Sequence, residues 1–259
     1  MLIKSIAKQI LSGLAAGLLI TIGCCVYLGC DTKWVGAILF SVALLSICIM
    51  NFSLFTGRVG FIIPEPSKEK FSALFLGLLG NVIATAVVGI AVQYAINIPP
   101  LDLSAAAVKM CEAKLTQELW QTLIRGILCG VLMYIAVGVY KSKKSIVGII
   151  FCIPVFILSG FEHSIADMGY FAIAGIYSAK AFGFIWVVII GNAIGALIIP
   201  LCKMLVADKK VKEESEVQGA TVSEQSACEL YGQVASDVID EAANSTEQTN
   251  TAEQTNTAE

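Results

Sequence analysis

Long apolar runs separated by short polar segments fill the chain up to residue 206. A membrane-spanning helix must cross about 30 Å of hydrocarbon at about 1.5 Å per residue. Runs of that length lie near 10–30, 34–63, 70–97, 117–140, 145–178 and 182–206. The pattern therefore predicts six membrane-spanning helices.

The second and fifth runs are too long for one straight crossing, and each contains a polar interruption. Asn51–Gly57 interrupts the second run and Gly160–Met168 interrupts the fifth. A membrane tolerates irregular backbone only where it lines a cavity or is buried in protein. Both runs are therefore predicted to be broken helices.

The interruption of the fifth run carries the candidate chemistry. It contains His163, the single histidine of the chain, together with Glu162 and Asp167, between the apolar runs 146–158 and 170–176. Ionisable groups inside a membrane are costly to bury, so such a cluster is interpreted by default as a functional site.

Composition supports a polytopic membrane protein. Apolar residues make up 57% of the 259 residues and charged residues 14%, and the mean hydropathy is +0.80. The chain has no basic patch for nucleic acid. Its cysteines show no metal-ligand spacing and are interpreted as small apolar core residues, so we expect no metal and no cofactor. Residues 1–206 are predicted to form the membrane domain, and the polar, acidic segment 207–259 a disordered cytoplasmic tail.

The basic residues predict the orientation, because short cytoplasmic loops are enriched in Lys and Arg. With the N-terminus inside, twelve basic residues fall on the inner side and four on the outer side. The outer residues are Lys33, Lys109, Lys114 and Lys180. Both termini are therefore predicted to be cytoplasmic.

The two halves of the membrane domain share a pattern, which predicts repeats at about 10–97 and 117–206. The matched positions are Gly13 and Gly17 with Gly126 and Gly130, the break at Leu54-Phe55-Thr56 with that at Ser164-Ile165-Ala166, and Gly80-Asn81 with Gly191-Asn192. Three spans per half require opposite topologies, and inverted repeats with broken helices are typical of a transport site near the midplane. The spaced glycines predict close helix packing.

These residues resemble the formate/nitrite transporter family. The matching segments are Leu54-Phe55-Thr56-Gly57, Gly80-Asn81, Arg125 to Cys129, Gly160 to Ala166, and Gly191-Asn192 with Gly195. The resemblance covers about 200 residues, and the Phe161 to Ile165 stretch is its most specific part. It implies an aquaporin-like homopentamer in a bacterial inner membrane, with one pore through each protomer for small monovalent anions.

The resemblance also implies roles for individual residues. His163 and Thr56 would form the pore centre, and Lys114 would lie in an outer vestibule. The broken-helix loops would contain Leu54, Gly57, Gly160, Glu162 and Ser164. Leu44 with Phe156 would form a cytoplasmic constriction, and Phe55 with Phe40 and Met133 an outer one.

The chain departs from the family pattern at two positions. Gly130 and Asp167 stand where formate and nitrite members commonly have asparagine. The glycine is interpreted as the loss of a pore hydrogen-bond donor and a gain of space. The sequence therefore looks most like the hydrosulfide-channel branch, with formate, nitrite and chloride as further candidate anions.

A proton would remove the charge that makes an anion costly to bring into an apolar constriction. His163 is a candidate to supply or relay that proton, since its ordinary pKa lies near neutrality. Lys114 would attract anions by its charge, while Glu162, pointing away from the pore, and Asp167 are assigned to the scaffold. The plainer alternatives are a core histidine satisfied by Thr56 or a backbone carbonyl, a solvated Lys114, and a Thr56 bonded to its own backbone.

Three functions remain to be compared. The leading one is a hydrosulfide channel, the next a formate or nitrite channel with proton coupling, and the third a water or glycerol pore. An intramembrane enzyme is disfavoured because the sequence offers one histidine and no nucleophile with a paired base.

Overall fold

The computed structural model of the chain describes residues 2–63, 66–95 and 102–206, which are helical apart from turns and loops. Met1–Lys203 form one compact unit, and Met204–Glu259 form a second, of which the end of the last helix is described. The predicted tail, 207–259, and the end of the first predicted repeat lie outside the described residues. The helices are α1 (Leu2–Gly29), α2 (Lys33–Met50), α3 (Phe55–Arg58, continued by a 3-10 turn, Val59–Phe61), α4 (Lys68–Ala95), α5 (Leu103–Leu115), α6 (Leu119–Lys143), α7 (Val147–Leu158), α8 (Ser164–Ala174) and α9 (Ala179–Val206).

Five of these helices are long and apolar enough to cross a membrane, namely α1, α2, α4, α6 and α9. Their most apolar windows have mean hydropathies of 2.0 to 2.4. The shorter α7 is also apolar. The fold is thus the all-helical, multi-pass membrane architecture that the sequence predicts.

The two overlong runs are broken where the sequence places polar residues. In the second run, α2 ends at Asn51, which adopts a left-handed conformation with φ of 55°, and α3 begins at Phe55. In the fifth run, α7 ends before Gly160, with φ of +69°, and α8 begins at Ser164. Left-handed backbone cannot continue an α-helix, so the chain changes direction at both points.

Helix α5 lies in a segment for which the sequence analysis predicts no element. The Asp102 carboxylate accepts a hydrogen bond from the Ala105 backbone N–H at 2.9 Å and caps the first turn. The buried side chains Leu103, Ala107 and Cys111 recur every four residues on one face. This amphipathic helix packs against α8 and brings Lys114 to the second break.

Glycines allow α1 to pack closely on α4, and α6 on α9. A Cβ at Gly13 would lie 2.3 Å from the Gly77 carbonyl oxygen, and one at Gly195 would lie 1.9 Å from the Ile127 carbonyl oxygen. Those distances leave no room for a side chain, so each glycine sets the separation of its helix pair.

Gly130 belongs to this packing, which corrects the expectation that it opens the pore. A Cβ there would lie 2.3 Å from the Asn192 carbonyl oxygen and 2.9 Å from the Ala196 backbone nitrogen. The position therefore faces the α9 backbone at a helix crossing. An asparagine at Gly130 would require the helices to separate, so its absence says nothing about pore hydrogen bonding.

Candidate functional site

One asparagine holds the first break in place. Asn81 of α4 is completely buried, and its side-chain oxygen accepts a hydrogen bond from the Phe55 backbone N–H at 3.0 Å. Its side-chain nitrogen donates to the carbonyl oxygens of Gly13 at 2.8 Å and Ser53 at 2.9 Å. The amide thus bonds the backbone on both sides of the break and also the backbone of α1, and the first N–H of α3 is satisfied in the interior.

A second asparagine makes the corresponding set of bonds at the second break. The Asn192 side-chain oxygen accepts from the Ser164 backbone N–H at 2.9 Å. Its nitrogen donates to the carbonyl oxygens of Gly126 at 2.9 Å and Glu162 at 2.8 Å. Because the partners match one for one, His163 occupies the place in its break that Leu54 occupies in the other.

The two breaks meet through Thr56 and His163. The Thr56 hydroxyl oxygen lies 2.8 Å from His163 Nε2, and both side chains are buried. His163 also caps α8, because its Nδ1 accepts a hydrogen bond from the Ala166 backbone N–H at 3.1 Å. A nitrogen that accepts carries no proton, so the neutral ring holds its proton on Nε2 and donates it to Thr56.

A cavity of about 440 Å³ reaches His163 from the side of Lys114. Phe40 of α2 and Phe156 of α7 line it beside His163. The Phe156 ring stacks on the imidazole, with ring centroids 5.8 Å apart and an interplanar angle of 20°. We call it the Lys114 cavity. Its lining around His163 includes the Phe156 ring.

A second cavity, of about 290 Å³, has a different lining, and we call it the Arg58 cavity. Leu44, Leu54 and Val137 form its apolar part. Arg58, Lys141 and Lys144 give it three cationic side chains. Small anions can therefore be attracted to this cavity by charge, and an apolar zone follows immediately.

The linings of the two cavities come within one helical turn of each other along α2. Phe40 lines the Lys114 cavity, and Leu44, four residues later on the same helix face, lines the Arg58 cavity. Four residues rise about 6 Å. Thr56 and His163 provide a hydrogen-bonded pair in the same region of the protomer.

The structure distributes the expected constriction residues over both cavities and the core. Phe40 and Phe156 line the Lys114 cavity, and Leu44 lines the Arg58 cavity. Phe55 and Met133 are buried and line neither cavity. The grouping of these residues into a cytoplasmic and an outer constriction stays a prediction, because residues that separate two cavities can line either one or lie buried between them.

Lys114, which was expected to attract anions in an outer vestibule, lines the Lys114 cavity but is not a free cation. Its ammonium contacts the Glu162 carboxylate and lies 3.0 Å from Asp167 Oδ1. Burial favours the neutral amine, but Asp167 and Glu162 raise the pKa of Lys114 above its ordinary value, so α5 presents a charged and paired ammonium. Its positive charge is therefore offset before an anion arrives.

Glu162 turns to partners within its own chain. One carboxylate oxygen contacts Lys114, and the other accepts a hydrogen bond from the Gln117 side-chain nitrogen at 2.7 Å. The residue is buried and does not line the Lys114 cavity. Its carboxylate partners are Lys114 of α5 and Gln117 of the turn after it. Its orientation away from a pore stays a prediction.

Arg125 and Gln121 are site residues that were not predicted from the sequence. Both line the Lys114 cavity from α6, and the Arg125 backbone carbonyl accepts a hydrogen bond from the Glu162 N–H at 3.3 Å. An arginine nearly two turns into an apolar helix is the signal that could have identified this position. Arg125 adds a second positive charge to the cavity.

The comparisons with known proteins bear on this geometry. A family model described as "Formate/nitrite transporter" matches residues 2–205. The chain belongs to the formate/nitrite transporter family. A curated relative in Bacillus subtilis (strain 168), the "Uncharacterized transporter YwcJ", is 28% identical over 148 residues. That alignment covers 53% of this chain and 58% of the relative, which is less than two thirds of its length.

Solved structures share the fold of this formate/nitrite transporter family member. One, described as "FNT family ion channel", has a TM-score of 0.67 at 22% identity and covers 79% of this chain and 90% of its own. Another, the "Pentameric formate channel with formate bound", has a TM-score of 0.63 at 22% identity and covers 79% and 98%. The family and the apolar helices identify a multi-pass membrane protein of a transporter family.

Proposed function

We propose that each protomer is a channel for small monovalent anions of weak acids, with the path running from the Lys114 cavity to the Arg58 cavity past Thr56 and His163. The observation that carries this proposal is the thin barrier, because Phe40 and Leu44 on one face of α2 line opposite cavities. Cationic side chains lie in both cavities, and apolar side chains lie between them.

The assembly and orientation are part of the same proposal. The distribution of Lys and Arg along the chain favours an orientation in a bacterial inner membrane with both termini and the Arg58 cavity on the cytoplasmic side. The Lys114 cavity then opens on the outer side. Similarity to the "Pentameric formate channel with formate bound" supports a homopentamer. The matching hydrogen bonds of Asn81 and Asn192 support two inverted repeats.

The barrier favours a neutral species. The idealised cost of moving an ion of this kind from water to a low-dielectric medium is about 20 kcal/mol, and protein relaxation and water lower it only in part. An anion of a weak acid avoids that cost by taking a proton in the first cavity and releasing it in the second. Such chemistry suits hydrosulfide, formate and nitrite, and it excludes a rapid flux of chloride.

His163 acts as a hydrogen-bond donor in this scheme. Its Nδ1 is occupied by the Ala166 N–H, so a second ring proton would break the cap of α8. Its Nε2–H, which donates to Thr56, can turn to a passing solute. This role replaces the expected one, in which His163 supplies the proton, because removing the Nε2 proton would leave an anionic ring.

Hydrosulfide is the preferred solute. The pore centre offers one hydrogen-bonding pair, Thr56 and His163, whose members bond each other. Neutral hydrogen sulfide has a single acceptor atom and needs one donor, whereas formic acid has two oxygens to satisfy. Formate is the second candidate, favoured by the similarity to a formate-bound channel.

Stopped-flow swelling of proteoliposomes tests the function. Matched gradients of hydrosulfide, formate, nitrite, chloride and glycerol are applied to vesicles with and without protein. We expect protein-dependent flux of the three weak-acid anions, fastest for hydrosulfide, with chloride and glycerol near the protein-free rate. Rapid glycerol flux without anion flux would show a neutral-solute pore instead.

A further inference from the structure

The ion cluster at the C-terminal end of α5 contains two carboxyl groups and one amine. Lys114 lies between Glu162 and Asp167, and the side chains of both acids are 2% exposed. Glu162 has two partners, Lys114 and Gln117. Asp167 uses Oδ1 for Lys114, and its buried Oδ2 has no hydrogen-bond partner among the residues that the structure describes.

The surroundings of Asp167 do not balance this excess. Helix α8 packs against α1, α3, α4 and α5. The charged residue of α3 is Arg58, which lines the Arg58 cavity, and the charged residues of α4 lie in its first turn. The titratable or charged groups near the cluster are Cys24 and Tyr27 of α1, Cys111 of α5, Arg125 and Cys129 of α6, His163, and Tyr170 of α8. Arg125 is the cation in this set, and it is half-buried in the cavity wall.

A buried carboxylate oxygen without a donor is costly in its charged form, because nothing replaces the water it loses. The same oxygen becomes inexpensive to bury when it carries a proton, since a neutral acid has no charge to desolvate. Lys114 can neutralise one of the two carboxylates, and Glu162 has the more complete set of donors. The excess proton therefore belongs on Asp167.

We propose that the cluster of Lys114, Glu162 and Asp167 holds one extra proton on Asp167 Oδ2, and that Asp167 donates this proton to a weak-acid anion in the Lys114 cavity. This inference rests on the proposed function. The O–H bond of Asp167 breaks, the anion gains the proton and becomes the neutral acid, and Asp167 becomes a carboxylate. A proton from the solution on the same side then restores Asp167.

The location of Asp167 fits this role. It lines the Lys114 cavity, as does His163, so a rotation of its carboxyl group is what must bring the buried Oδ2 to a solute in that cavity. Asp167 lies in the first turn of α8, and its backbone N–H donates to the His163 carbonyl oxygen at 2.9 Å. The proton source and the central hydrogen-bond donor are thus held on one rigid element.

The pH profile of formate flux in proteoliposomes tests the donor. In the wild-type protein we expect a plateau near neutral pH, because Asp167 is already protonated there. In Asp167→Asn the flux must use acid protonated in solution, so it should fall about tenfold per pH unit over the same range. Asp167→Glu should restore a plateau. Glu112→Gln, an exposed site on α5, serves as the matched control and should keep the wild-type profile.

Infrared difference spectroscopy tests whether Asp167 carries a proton, and it does so without a transport measurement. The purified wild-type protein should show the carbonyl stretch of a protonated carboxylic acid at neutral pH, and Asp167→Asn should lack it. If that variant does not fold, the titration of the band in the wild-type protein still decides. An Asp167→Asn variant with the wild-type pH profile, or a wild-type protein without the band, would overturn the inference. Absence of anion flux with the band present would refute the proposed function alone.

Discussion

Asn81→Ala removes three hydrogen bonds from the first break and leaves the fold otherwise unaltered. The Phe55 N–H and the Ser53 carbonyl lose a buried partner, whereas the Gly13 carbonyl keeps its own helical bond. An unsatisfied buried group costs about 1–3 kcal/mol, although polar contacts between membrane helices average only about 0.6 kcal/mol. We therefore expect a loss of about 2–5 kcal/mol.

Thermal unfolding of the detergent-solubilised protein measures this loss. About 2–5 kcal/mol corresponds to a fall in Tm of about 5–15 °C for a chain of this size. Thr85→Val is the matched control one turn further along α4, because its buried hydroxyl bonds only the Val82 carbonyl of the same helix. Asn192→Ala should cost as much as Asn81→Ala. If Asn81→Ala melts within about 2 °C of Thr85→Val, the asparagine does not hold the break.

Three further predictions follow from the packing and charges. Gly130→Ala should destabilise the protein by about 1–3 kcal/mol in the same unfolding assay. Gly138→Ala on the same helix is the control, because a Cβ there would have its nearest neighbour at 3.8 Å, and it should be neutral or stabilising by up to about 1 kcal/mol. Lys114→Met should cost about 3–5 kcal/mol at neutral pH, because the buried Glu162 carboxylate loses its cation, and unfolding measured against pH should show the loss shrinking as acid protonates Glu162. Adding Glu162→Gln should recover part of it, and a Lys114→Met loss that is unchanged at low pH would contradict the charge argument. Phe40→Ala should thin the barrier and raise acetate flux above the wild-type rate in the swelling assay, and an unchanged acetate rate would show that Phe40 does not form the barrier.

Much of the fold follows from local pattern. The apolar runs predict the spans because their length matches the bilayer, and Asn51 and Gly160 interrupt them where helical backbone cannot continue. Residues around the breaks are also detectable, since a polar group in an apolar run is costly. His163 and Thr56 lie together, as the sequence analysis places them.

The remainder depends on contacts that no local pattern contains. Gly130 looks like a missing pore donor until the α9 backbone is seen against it. Lys114 looks like a free cation until α5 brings it to Glu162 and Asp167, which are distant in sequence. The hydrosulfide prediction therefore loses its support from Gly130, and Asp167 changes from a scaffold residue to the centre of a proposal.

The permeation path itself is tested most directly by blocking it. Leu44 is 1% exposed and lines the Arg58 cavity next to the barrier, whereas Val42 on the same helix is 58% exposed and faces away from it. Swelling rates for hydrosulfide and formate are measured in proteoliposomes that contain equal amounts of Leu44→Trp or Val42→Trp protein, each checked for assembly by size-exclusion chromatography. We expect Leu44→Trp to fall to the protein-free rate and Val42→Trp to retain the wild-type rate. Wild-type flux through Leu44→Trp would contradict a path between the two cavities.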